Sequence, residues 1–127
     1  MAYRDYVEKS HESLKSARIL FEAECFNSCI NRLYYAMFQM AVAILIKFGI
    51  KSPKESEYGH AWVQAALAKE LIYRRKLIPG KFSSYLPSMM ELRREADYKE
   101  TSLSKKRTER GLKHGMEFIQ ILERIIG

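Results

Sequence analysis

The chain has 127 residues, 47% of them apolar, with only 6 Gly and 3 Pro. That is enough for one hydrophobic core and too few loop formers for a largely disordered chain, so one domain over residues 1–127 is expected. The net charge of +7 is concentrated: residues 69–113 carry 13 Lys and Arg against 6 Asp and Glu, which predicts an anionic partner.

Mixed charge in the opening MAYRDYVEKSHE argues against a secretory leader. Val7, Leu14, Ala17, Leu20 and Phe21 recur at helical spacing and predict a first helix over residues 3–24. ECFNS interrupts it, and Asn27 or Ser28 is expected to cap the next helix. Cys25 and Cys29 read as two buried thiols on adjoining turns, since no His stands at ligand spacing to complete a metal site.

Residues 28–48 form the second predicted helix, apolar nearly all round from Leu33, with Gly49 as its stop. Its uninterrupted apolar stretch, Leu33–Ile46, contains Gln39 and is too short for a bilayer span. No membrane is expected, and the predicted localisation is cytoplasmic. Ser28, Arg32, Tyr35 and Gln39 share one face of this helix. A polar stripe there needs hydrogen-bond partners or a cleft or interface to face. A pairing of Arg32 with Asp97 across two helices is one way to satisfy it.

IKSPKESEYG, residues 50–59, reads as a loop. A third helix is predicted over 60–72, with Trp62, Ala66 and Leu67 inward. A fourth follows over 81–97, with Phe82, Tyr85, Leu86, Met89 and Leu92 inward and a start or kink at Pro87. Ser104 is the expected cap of a fifth helix, with Arg107 at its third position and Leu112, Met116, Ile119, Leu122, Ile125 and Ile126 as its buried stripe. Gly111 and Gly115 weaken that helix by about 1 kcal/mol each relative to Ala, so close approach of another helix should offset them. No run alternates with period two, and the expected fold is an all-α up-and-down bundle of four to five antiparallel helices.

No P-loop, G-x-G-x-x-G or H-E-x-x-H is present, which leaves NTPase, dehydrogenase and zinc-hydrolase readings without support. His11, His60 and His114 are scattered in the sequence; Arg107, Arg110 and His114 can project from one side of the last helix. Arg93 and Arg94 lie at the end of the fourth helix. Arg93 either binds an anion or pairs with Asp97 one turn on.

Asn31-Arg32-Leu33-Tyr34-Tyr35-Ala36-Met37-Phe38, then Leu92-Arg93-x-x-Ala96-Asp97-Tyr98, then a last helix opened by Ser104 and carrying Phe118, resemble the HEPN superfamily in its stand-alone bacterial and archaeal branch. The resemblance implies a helical bundle, usually dimeric, often paired with a minimal nucleotidyltransferase in toxin–antitoxin or defence systems. Several branches are metal-independent endoribonucleases that carry an Arg followed four to six residues later by His. Here Arg93 matches the arginine, but the position after four intervening residues is Tyr98. Histidine suits proton transfer near neutral pH; tyrosine, which ordinarily titrates near 10, suits it poorly. Arg107 and His114 have the spacing, but within the last helix, where the family does not place its motif.

The expectation is therefore a binding module for RNA, a nucleotide or a nucleotidyltransferase, with Asn31, Arg32, Tyr35, Arg93, Arg94, Asp97 and Tyr98 as its site and no cofactor or metal. A ribonuclease using Arg93 with Tyr98 or His114 is the alternative. A purely structural partner for an acidic protein surface is the third. The polar stripe and the helix-five glycines together predict a homodimer.

Overall fold

Period-3.6 patterning runs through the whole chain, and the architecture follows from it. The computed structural model describes residues 2–54 and 57–127. In it, α1 (Tyr3–Glu22), α2 (Phe26–Lys47), α3 (His60–Ala66), α4 (Tyr85–Tyr98) and α5 (Lys105–Ile126) form an all-α up-and-down bundle, with no strand among the described residues. Glu55 and Ser56, inside the expected loop, lie outside the described residues.

The most apolar helix takes the centre. In α2, Leu33, Tyr34, Met37, Met40, Ile44 and Leu45 are fully buried, and α1, α4 and α5 all pack on it. By length and composition α2 could cross a membrane, yet 72% of its most apolar window is covered by the bundle itself. Burial of each such side chain stabilises the fold by about 1.5–3 kcal/mol. Ser10 and Ser13 reach the same seam from α1. Ser10 Oγ donates to the Ala36 carbonyl at 2.7 Å, and Ser13 Oγ lies 2.8 Å from the Gln39 side-chain amide. With its nitrogen turned inward, that amide also donates to the Tyr35 and Lys9 carbonyls at 3.1 and 3.0 Å. Gln39 therefore leaves the predicted polar stripe and serves the α1–α2 packing.

Both helices of this hairpin end in the same backbone motif. After α2, Gly49 takes φ +72°, and the Gly49 and Ile50 N–H groups donate to Ile46 and Leu45. After α1, Glu24 occupies the equivalent left-handed position at φ +60°, with Glu24 and Cys25 donating to Phe21 and Leu20. The expected cap of α2 needs correction. The helix begins at Phe26 with Cys25 at its N-cap, and neither Asn27 nor Ser28 caps it. Asn27 instead accepts from the Leu103 N–H at 3.0 Å and donates to Ser102 Oγ at 3.4 Å, tying the start of α2 to the lead-in of α5. Cys25 is exposed, contrary to expectation. Cys29 is buried, and burial pushes its thiol up to about 11.

α3 is shorter than the predicted third helix. It widens after Ala66 into a π-helical segment, Leu67–Arg74, whose larger repeat lets Leu67, Leu71 and Ile72 all face inward. Val63 is buried in α3, whereas Trp62 is only partly so. A 3-10 turn over Gly80–Ser84 leads into α4, and Pro87 falls in the first turn of that helix, where a missing N–H removes no intrahelical bond.

Ser104 caps α5 as predicted, its Oγ accepting the Arg107 N–H at 3.2 Å. The two glycines have an intramolecular use. A Cβ on Gly115 would fall 2.6–2.9 Å from the Leu33 side chain, and one on Gly111 would fall 3.1 Å from both Ile30 and Leu92. They allow α5 to approach α2 and α4, so they give no ground for a dimer.

Candidate anion-binding site

The polar beginning of α2 faces the end of α4, and the site is built where they meet. Arg93 is 85% covered, its side chain only 15% exposed. One terminal nitrogen donates to Tyr35 Oη at 2.7 Å, and its guanidinium carbon lies 5.3 and 5.5 Å from the Tyr34 and Tyr35 ring centres. The Asp97 carboxylate is 3.8 Å from Arg93 Nε, an ion pair too long to be a hydrogen bond. Arg93 Nε–H is therefore buried without an acceptor, the one buried side-chain polar atom so left among the described residues. A buried charged donor without an acceptor is costly.

A second cation converges on the same phenol. The Arg32 guanidinium lies 5.0 Å from the Tyr35 ring centre and donates through two nitrogens to Asn31 Oδ1 at 3.3 and 3.2 Å. Asn31 in turn donates to Asp97 Oδ2 at 3.4 Å. The expected Arg32–Asp97 pairing is thus relayed through Asn31, because the amide reaches the carboxylate first. Two guanidiniums share one carboxylate, and the cluster keeps a net positive charge.

Arg94 points away into an exposed ion pair with Glu91 at 2.7 Å. Tyr98, the last residue of α4, is 78% exposed. It lines an open groove of about 640 Å³ together with Arg93, Arg94, Lys99 and Arg107. His114 is elsewhere on α5, its ring 5.5 Å from that of Tyr85. The structure thus gathers Asn31, Arg32, Tyr35, Arg93 and Asp97, sets Arg94 and Tyr98 on the rim, and leaves His114 outside.

Sequence reasoning passed over His60. It opens α3, and its Nδ1 lies 2.7 Å from Tyr34 Oη. Tyr34 is fully buried, and a buried phenol needs a partner for its hydroxyl. The imidazole packs against Phe38, Tyr34 and Tyr35, with ring centres 4.6, 5.5 and 6.0 Å away. Burial chiefly, and then the Arg93 and Arg94 charges, hold its pKa below the ordinary value of 6.5. Burial likewise raises the Tyr34 hydroxyl. With Nδ1 engaged, Nε2 has no hydrogen-bond partner among the described residues. The only trace in the sequence is a histidine directly after the Gly59 that ends a loop.

The HEPN domain family matches residues 3–125. The chain is 26% identical over 119 residues to "UPF0332 protein" of Thermotoga maritima, covering 93% of this chain and 86% of that one. It is 32% identical over 108 residues to "Putative toxin MJ0142" of Methanocaldococcus jannaschii, covering 85% of this chain and 69% of that protein.

Proposed function

The chain belongs to the HEPN domain family, and on that premise we propose that it is a binding module that holds RNA by a phosphate at Arg93. The Arg93 guanidinium, which lines the open groove and has its one carboxylate held off at 3.8 Å, carries this reading. Arg32 beside it adds a second positive charge, and Tyr35 Oη supplies a hydroxyl already oriented by Arg93. A phosphate approaching the guanidinium from the groove supplies the negative charge that Asp97 alone does not. The likeness to the Methanocaldococcus protein supports a toxin-like role in the cell.

Binding of a labelled single-stranded RNA, followed by fluorescence anisotropy, tests this. Affinity should fall steeply with salt as phosphate contacts release counterions. Arg93→Ala should weaken it about tenfold or more, the loss of a charged hydrogen bond. Wild-type affinity in a folded Arg93→Ala variant would sink the proposal. Absence of RNA binding even at low salt would leave a protein partner, such as a minimal nucleotidyltransferase, as the occupant of the basic surface.

A second reading has its own observation, the Tyr34–His60 pair. In it the protein cleaves RNA without metal, and His60 replaces both Tyr98 and His114 as the proton-transfer group. The Tyr34 hydroxyl accepts from Nδ1–H, which leaves the Nε2 lone pair to take the proton of a ribose 2′-OH as that oxygen attacks the adjacent phosphorus; the P–O5′ bond breaks, and the departing oxygen takes a proton from solvent. The depressed pKa keeps that base unprotonated at neutral pH. Cleavage should resist chelators, disappear in both Arg93→Ala and His60→Ala, and rise with pH through a value below 6.5. A wild-type protein that binds RNA and leaves it intact would confine the function to binding.

A further inference from the structure

Beyond the Arg93 site, the groove it opens into continues along α4. Its larger lobe, about 640 Å³, and a second lobe of about 330 Å³ share Ser88, Leu92 and Arg107. The two therefore form one trench between α4 and α5. From Tyr85 to Tyr98 its α4 wall extends about 20 Å at the helical rise of 1.5 Å per residue, longer than a mononucleotide.

The two ends of the trench differ in chemistry. Within it, Glu91 pairs with Arg94 and Glu95 with Arg107, which leaves Lys99 near one end and Arg110 near the other without a carboxylate partner among the described residues. The Arg110 end also carries two rings, Tyr85 on α4 and His114 on α5, 5.5 Å apart and tilted by 45°. Tyr85 is held from behind by the buried Phe82, with ring centres 4.8 Å apart. An immobilised ring beside an unneutralised arginine, with a second free cation, Lys99, toward the far end, is what a nucleic-acid strand with unstacked bases requires. An A-form duplex hides its bases and offers such a ring no partner. An acidic protein surface could pair with the cations and would leave the rings unused.

We propose that this trench is an extended subsite for single-stranded RNA, with Arg110 contacting a backbone phosphate and the Tyr85–His114 pair stacking on a base. The proposal rests on the RNA reading of the Arg93 site and adds the length and strandedness of the ligand to it.

The test is a length series of labelled oligouridylates, from a mononucleotide to a twelve-residue strand, with a duplex of equal length as comparator. Affinity should climb with length over the first several nucleotides and then level, and the duplex should bind more weakly than the single strand. Tyr85→Ala should weaken the long strand about fivefold to 100-fold, the range for loss of one stacked base, and Tyr85→Phe should restore it. Arg110→Gln, an exposed change that leaves the core untouched, should lower the slope of log affinity against log salt by about 1. Neither variant should alter binding of the mononucleotide. A mononucleotide that binds as tightly as the twelve-residue strand, or an unchanged salt slope in Arg110→Gln, would overturn the extended subsite and leave the Arg93 site standing. Loss of all RNA binding in Arg93→Ala, with trench variants still sensitive at longer lengths, would support both. No binding by wild type at any length would remove both together.

Discussion

Tyr34 and His60 are 26 residues apart in the chain and 2.7 Å apart in space. The hydroxyl fixes the ring, while burial and the nearby Arg93 and Arg94 charges disfavour its protonation. His60 in the folded protein should therefore titrate below 6.5, which imidazole NMR shifts would report directly. Arg93→Ala should move it part of the way back up, since burial is the larger cause. The linkage has a definite sign. With the folded pKa depressed, the unfolded chain binds more protons in the window below 6.5. Stability is then complete above that pH and is lost as pH falls through the folded value. His60→Gln should flatten this loss in denaturant titrations between about pH 7 and 5. A variant with the same pH dependence as wild type would assign the effect to other groups.

At the scale of elements, α5 tests how tightly helices are seated. Both glycines lie in a helix interior, where Ala is preferred by about 1 kcal/mol. At Gly111 the neighbours are methyl ends at 3.1 Å, able to yield by a few tenths of an ångström. At Gly115 the Cβ would meet three carbons of a fully buried Leu33, as close as 2.6 Å. Overpacking of that kind costs about 1–3 kcal/mol. Gly115→Ala should therefore lower stability by about 1 kcal/mol net, a drop in Tm of about 3–6 °C. Gly111→Ala should be close to neutral. Equal effects at the two sites in thermal unfolding would contradict the seating of α5 on α2 described above.

At the scale of the whole molecule, the homodimer expected from the sequence loses both of its residue-level grounds and keeps only what the family resemblance implies. The glycines are occupied within the chain, and the polar stripe is divided: Gln39 serves α1, and Arg32 and Tyr35 serve the Arg93 site. A dimer in sedimentation velocity at tens of micromolar, about the range where weak interfaces still form, remains the expected outcome. A monomer at that concentration would place the complete Arg93 site within a single chain.

The fold was legible because it depends on periodicity, and the period of a helix is a local property of the chain. Five helices, the central α2, the Ser104 cap and the Gly49 stop all follow from residues within a few positions of one another. Asn31, Arg32 and Tyr35 were legible as polar residues at the start of an otherwise apolar helix, and Arg93 and Asp97 as a pair one turn apart at a helix end. What the sequence could not determine was which of them meet. Arg32 reaches Asp97 only through Asn31, and Asn27 serves α5 rather than its own helix, because side-chain pairing depends on how helices are rotated and how far they slide. His60 is the clearest case. As the first residue of a short helix after a loop it has no periodic signal, and only the packing of α3 against α2 brings it to Tyr34 and into the field of Arg93.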